Sequence, residues 1–419
     1  MTDGPVPAAE AMLAEVRAAA PGLPRTVLNL YAGANLPGPA VSGAYAPALG
    51  AYPAMGPSFR KEQPGTDLVS RLEVAVEALA CELFAADWAE PRLPSCTLAN
   101  LAVYHAFAQP GDLLLGPAAE HGGHLSQRGG GTPELAGLRC ATLPFDRAAC
   151  RLDTPAAIRM VHALRPRILL LGRSVMLKPD DIGPVTDAAR SVGALTLFDA
   201  AHVAGLIAGG TFPNPLTEGA DILTMSTYKT LPGYPQGLIV GRDRARGERL
   251  AGWLDRCFLA NYNAGRLPAL LALLLEVAKD GRAYAERVSA CTAALAASLR
   301  ALGTPVVAAE DSSGTHQILL PVADRVPPDA LLKHLEGCGI VTGSCRNPTG
   351  SSRNALRIGT QLVARAGAPV ADMAGVALIL HDAIAAYDGP DGALAQAALQ
   401  ARAMTQVGRW PLFQPGAAI

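Results

Sequence analysis

The chain has 419 residues, with 35 Lys and Arg against 36 Asp and Glu and a formal net charge of −1. That length holds two domains with a substantial core, and the balanced charge argues against nucleic acid or a membrane surface as a partner. The start, MTDGPVPAAEAMLAEV, has no basic-then-apolar leader, no apolar run reaches spanning length free of Gly, Pro or charge, and the eight cysteines contain no CxxC, so the expectation is a reduced, cytoplasmic protein with no membrane association.

In chain order, the Ala-rich stretch 7–20 reads as a short helix or arm, followed by LNLYAGAN at 28–35. AYPAMGPSFRKEQPG at 51–65 is a loop by its Gly and Pro content. Leu68, Leu72, Val76, Leu79, Leu83 and Phe84 then recur at helical spacing. Ser95-Cys96-Thr97-Leu98-Ala99-Asn100 opens a helix through Phe107. Its hydroxyls suit either a plain N-cap or a phosphate site. Pro110-Gly111-Asp112 turns into a strand LLLG at 113–116, and His121-Gly122-Gly123-His124-Leu125-Ser126 follows. The two histidines lack a carboxylate or thiol to complete a metal site.

RILLL at 167–171 is a buried strand ending in Gly172-Arg173-Ser174, and Val185–Val192 is the helix before the next strand, Leu195–Asp199. Ile222 and Leu223 begin another strand, which leads into Thr224, Ser226, Thr227, Tyr228 and Lys229. Both strands deliver polar groups to one rim of a parallel sheet, where open α/β sheets bind ligands. Either residue alone is ambiguous, since a strand-end Asp also caps helices and a Lys is usually a surface charge. Together, Asp199 and Lys229 suit pyridoxal phosphate (PLP). The lysine amine forms the Schiff base, and the carboxylate keeps the pyridine nitrogen protonated. Beyond Gly241, LPALLALLLEV at 267–277 reads as a helix and 282–302 as a second, with a domain boundary near Asp280 dividing 1–280 from 281–419. THQILLPV (315–322) reads as a strand, 329–338 as a helix, 346–355 as a loop and 370–387 as an amphipathic helix. The tail from Gly389 carries no readable pattern.

DAAHVAGLIAGG at 199–210 and STYKTLPG at 226–233 resemble the serine hydroxymethyltransferases, whose patterns are DxAHxxGLxAxG and TTTHKTLxGPRGG. LNLYAGAN stands where that family has LIASEN, SCTLAN where it has SGSQAN, HGGHLS where it has HGGHLT, and LRIGT matches its RIGT. The resemblance covers about Leu28 to Tyr387 and implies fold-type I architecture with a mainly parallel sheet and a smaller C-terminal α/β domain. It implies that Lys229 carries the cofactor, Asp199 pairs with its pyridine nitrogen, His124 stacks on its ring, and His202 lies beside its 3-oxygen. Ser174 would touch the ring or that oxygen. Ser95, Thr97 and Ser226 would be at or near the phosphate, which Gly237 would reach from a neighbouring subunit. Arg357 would bind the substrate α-carboxylate. A homodimer with shared active sites is implied, the N-terminal arm wrapping the partner.

The departures lie in the family's KYAEGYPGRRYYGG loop. Tyr52 keeps its first tyrosine as a candidate substrate contact, Ala54 falls at the glutamate, and Glu62 and Gln63 fall near the tyrosine pair. Gly33 and Ala34 replace the Ser and Glu of LIASEN, and Tyr228, a proton relay or a packing residue, replaces the histidine before the lysine. The expectation is therefore a PLP enzyme acting on a β-hydroxy or β-substituted amino acid by folate-independent retro-aldol or transaldol chemistry. The alternatives are β-elimination, decarboxylation-linked deamination, or a non-catalytic protein of the same fold.

Overall fold

A computed structural model describes residues 5–19, 26–308, 314–388 and 392–413. Its centre is a seven-stranded sheet: β1 (Trp88–Glu90), β2 (Leu113–Gly116), β3 (Arg139–Thr142), β4 (Ile168–Leu171), β5 (Leu195–Asp199), β6 (Ile222–Ser226) and β7 (Gly237–Gly241), in the order β1-β7-β6-β5-β4-β2-β3. Neighbours from β3 to β6 are parallel, and β7 runs antiparallel to both β1 and β6. Alternate side chains enter opposite layers. Leu115, Leu169, Leu171, Phe198 and Leu223 join one core, while Leu114, Ile168, Leu170, Leu197 and Ile222 join the other. Burial on both faces explains why these strands are unbroken apolar runs. One layer is built by α1 (Asp67–Phe84) and the long α2 (Leu267–Ala301), the other by α3 (Cys96–Phe107) and α4 (Arg244–Cys257).

Two expectations about elements change. The separate helices at 267–277 and 282–302 are one 35-residue helix, and Asp280 lies inside it. A glycine in mid-helix costs about 1 kcal/mol against alanine. Here it accompanies close packing, since a Cβ on Gly209 would lie 2.5 Å from the Gly281 carbonyl oxygen. The tail is also structured. A helix at Gly392–Val407 and the turn after it bury Leu399, Ala403, Val407, Trp410 and Phe413 in the main core. Its Ala-rich face hid that pattern. A three-stranded antiparallel sheet, β8 (Gln317–Val322), β9 (Gly343–Arg346) and β10 (Asn354–Gly359) in the order β8-β10-β9, carries Arg357 in mid-strand.

Candidate active site

Asp199 ends β5 in the buried interior, 4% exposed. Its Oδ2 accepts from Asn100 Nδ2 at 2.8 Å and Gln127 Nε2 at 2.7 Å, and its Oδ1 accepts from the Ala201 amide at 3.0 Å. The Cys96 thiol lies 3.5 Å from Oδ1. Burial, then Asp199 itself, pushes that thiol well above its ordinary range, so it stays protonated and is the donor toward the carboxylate. Asn100 is oriented by Thr224, whose hydroxyl donates to Asn100 Oδ1 at 2.6 Å. Gln127 also accepts from the His124 amide at 2.8 Å, tying the histidine's backbone to the carboxylate's own partner. At His124, Nδ1 accepts from the Ser126 amide at 3.2 Å, which leaves the proton on Nε2. Burial keeps that ring neutral by lowering its pKa.

Lys229 follows β6, with Nζ 3.2 Å from His202 Nε2 and 5.8 Å from the Tyr228 ring centre. Burial lowers its pKa, and Arg357 adds to that against the opposing pull of Asp199. A depressed lysine is the nucleophilic form that Schiff-base chemistry needs. Asn35 Nδ2 holds the Lys229 carbonyl at 2.5 Å. The His202 tautomer follows from its neighbour Gln317. Gln317 Oε1 accepts from the Met176 amide at 3.2 Å, so Nε2 is the end that donates to the Ser174 carbonyl at 3.0 Å and faces His202 Nδ1 at 3.1 Å. His202 therefore accepts at Nδ1 and carries its proton on Nε2, toward the lysine. Burial, then Lys229, depresses its pKa well below the usual range. His316 stacks on it at 5.6 Å and 11°, with its own pKa held down to about 3, chiefly by burial.

Arg357 reaches in from β10. Nη1 donates to the Ser174 carbonyl at 3.1 Å, and Nε is buried with no partner. No Arg357 ion pair occurs among the described residues, which leaves the cation available to an anionic ligand. At the start of α3, Ser95 is the N-cap, its Oγ accepting from the Leu98 amide at 3.2 Å, while Thr97 is half-buried. Both the cap and a free helix N-terminus are therefore present. Gly237 was expected to reach a phosphate across subunits. Within this chain it is buried in β7 directly beneath that helix start, where a Cβ would lie 2.7 Å from the Ser95 carbonyl carbon. Ser226 lies buried opposite it, at the end of β6. Tyr52 is 51% exposed, and His121 turns aside to stack on Phe145 at 4.6 Å. Ala54 is buried among Val69, Ala264 and Leu267.

Sequence reading missed Asn100, Gln127, Gln317 and His316. Asn100, His316 and Gln317 lie in quoted stretches and Gln127 directly follows one, but their partners are remote in the chain. The residues fit PLP: an acid for the pyridine nitrogen, a depressed lysine, a neutral histidine, a helix N-terminus for the phosphate and an unpaired arginine.

Comparison with known proteins agrees. The sequence profile of serine hydroxymethyltransferase matches residues 24–380. An α-methylserine aldolase of Variovorax paradoxus is 36% identical over 83% of this chain and 80% of its own. A serine hydroxymethyltransferase of Methanopyrus kandleri is 31% identical over 85% of each. The crystal structure of L-threonine transaldolase from Pseudomonas fluorescens superposes with a TM-score of 0.85 at 23% identity, covering 96% of this chain and 93% of that one, a likeness of fold. The chain thus has the fold-type I architecture and belongs to the serine hydroxymethyltransferase family of pyridoxal-phosphate-dependent enzymes.

Proposed function

We propose that this enzyme cleaves or transfers the Cα–Cβ bond of a β-hydroxy amino acid without folate, an α-substituted serine such as α-methylserine being the leading substrate. The observation that carries the reading is Ala54. It falls at the place of the glutamate that exchanges a proton beside substrate and folate in the folate-dependent relatives, and its methyl group, packed with Val69, Ala264 and Leu267, can move no proton. Relatives at 36% and 37% identity that are named α-methylserine aldolases support the same substrate class. When bound, PLP supplies the electron sink for the bond that breaks. Lys229 holds the cofactor, Asp199 keeps its ring nitrogen protonated, and neutral His124 lies against its face. His202 and Ser174 serve its 3-oxygen side, and Ser95, Thr97, Ser226 and Gly237 its phosphate end. Arg357 fixes the substrate carboxylate, with Tyr52 contributed to the site of a second subunit. Tyr228, whose phenol burial pushes up from its ordinary range, stays protonated at neutral pH and delivers a proton at Cα rather than removing one.

The test is to offer holoenzyme a panel of β-hydroxy and β-substituted amino acids and identify products by mass, with the Lys229→Ala variant as the blank. Glycine or alanine plus an aldehyde supports the reading. A 2-oxo acid with ammonia would replace it with β-elimination, and carbon dioxide with decarboxylation.

A further inference from the structure

Tyr31 stands with its ring edge-on between two glycines. A Cβ on Gly33 would lie 2.9 Å from Tyr31 Cε1, and one on Gly343 would lie 2.8 Å from Tyr31 Cε2. Both distances are well inside the carbon–carbon optimum of about 3.5–4.0 Å, so a side chain at either neighbour would displace the ring from this position. The backbone beneath it is pinned. The Tyr31 amide donates to Asn29 Oδ1 at 3.0 Å, its carbonyl accepts from Gln361 Nε2 at 2.8 Å, and it bridges to Ile358 of β10. One residue before Ile358 is Arg357, whose guanidinium carbon lies 5.9 Å from the Tyr31 ring centre. The phenol oxygen has no hydrogen-bond partner among the described residues, and the side chain is 37% exposed.

The position of that oxygen is informative. It lies 3.5 Å from where a residue-33 Cβ would be. The LIASEN motif that LYAGAN resembles has isoleucine at 31 and serine at 33, and that serine's hydroxyl would extend one bond beyond the same Cβ. A serine at 33 would push this ring out of the position it holds. We infer that Tyr31 and Gly33 form one exchanged unit, in which the Tyr31 phenol takes over the hydroxyl lost at residue 33, donates to the substrate carboxylate beside Arg357, and narrows the pocket with its ring. This rests on the placement of Arg357 at the substrate carboxylate.

The test titrates holoenzyme with glycine and follows the visible absorbance of the bound cofactor, which reads binding and not turnover. Tyr31→Phe keeps the ring in its slot and removes only the hydroxyl. A hydrogen bond to a charged group is worth enough that its loss should weaken glycine binding by about tenfold or more. Gly33→Ser alone should also weaken binding, because its side chain meets the Tyr31 ring. The double variant Tyr31→Ile/Gly33→Ser should recover affinity to within about threefold of wild type, a non-additivity that only a coupled pair produces. Unchanged affinity in Tyr31→Phe, or a double variant no better than its weaker parent, would overturn the inference. If wild-type holoenzyme gives no response to glycine or to any other amino acid, the Arg357 placement itself fails, and this inference with it.

Discussion

Asp199 gathers donors from three separate segments, and its removal leaves them buried and unpaired. Asp199→Ala strands the Asn100 and Gln127 amides, each at a cost of about 1–3 kcal/mol. The expected outcome is a melting temperature several degrees lower in the apoprotein, together with loss of bound PLP; differential scanning calorimetry and cofactor content check both. A second residue-scale prediction concerns pH. An unfolded histidine takes up a proton near pH ~6.5, whereas folded His316 does so only at about 3. Between these values acid loads the unfolded chain alone, so stability is full above about pH 6.5 and falls on acidification, at up to about 1.4 kcal/mol per pH unit for this group. In His316→Gln the loss of stability between about pH 7 and about pH 5, read from urea midpoints, should shrink by up to about 2 kcal/mol. Sequence made Lys229 and Asp199 legible because their chemistry is rare and their motifs are local. Asn100 and Gln127 were opaque because the carboxylate they serve lies 99 and 72 residues away, a pairing no local pattern encodes.

Among the elements, the 51–65 loop departs from the family pattern at the glutamate and the tyrosine pair, and its fold is set by one buried acid. Glu73 on α1 pairs with Lys61 at 2.6 Å, accepts from Ser58 at 2.5 Å and also accepts from the Tyr262 hydroxyl. The loop closes on itself where the Glu62 amide meets the Met55 carbonyl at 3.0 Å and Gln63 Oε1 accepts from the Met55 amide at 2.8 Å. Glu62 and Gln63 therefore serve the loop's own closure. Glu73→Ala leaves the Lys61 charge buried without its partner, an uncompensated state that costs about 3–5 kcal/mol. Limited proteolysis should then cut within 51–65, where the wild type resists. Strands were legible as apolar runs because both faces of the sheet are covered. The continuity of α2 was not, because Asp280-Gly281 looks like a break until Gly209 packs against it.

Over the whole molecule, one end of the sheet holds the candidate site, and the outer surface carries apolar groups that the single chain leaves uncovered. Met12, Leu13 and Val16 on the N-terminal helix and Tyr52 and Phe59 on the loop are more than half exposed. That is the pattern of an interface, and we propose a homodimer in which the arm wraps the partner; members of this family are generally oligomeric. Sedimentation should give a dimer at working concentration, and removal of residues 1–19 should shift it toward monomer with loss of activity; an active monomer would refute the shared site. Among the described residues no helix is long and apolar enough to cross a membrane. The C-terminal helix shows the limit of pattern reading at this scale, since an Ala-rich segment reveals its buried face only once a core exists to receive it. The reaction itself is tested most directly by incubating holoenzyme with α-methylserine, with and without tetrahydrofolate, and measuring formaldehyde. The account predicts formaldehyde and equimolar alanine at about 1 per second or faster, unchanged by folate. Formaldehyde absent without folate, with turnover restored only when folate is added, would contradict it.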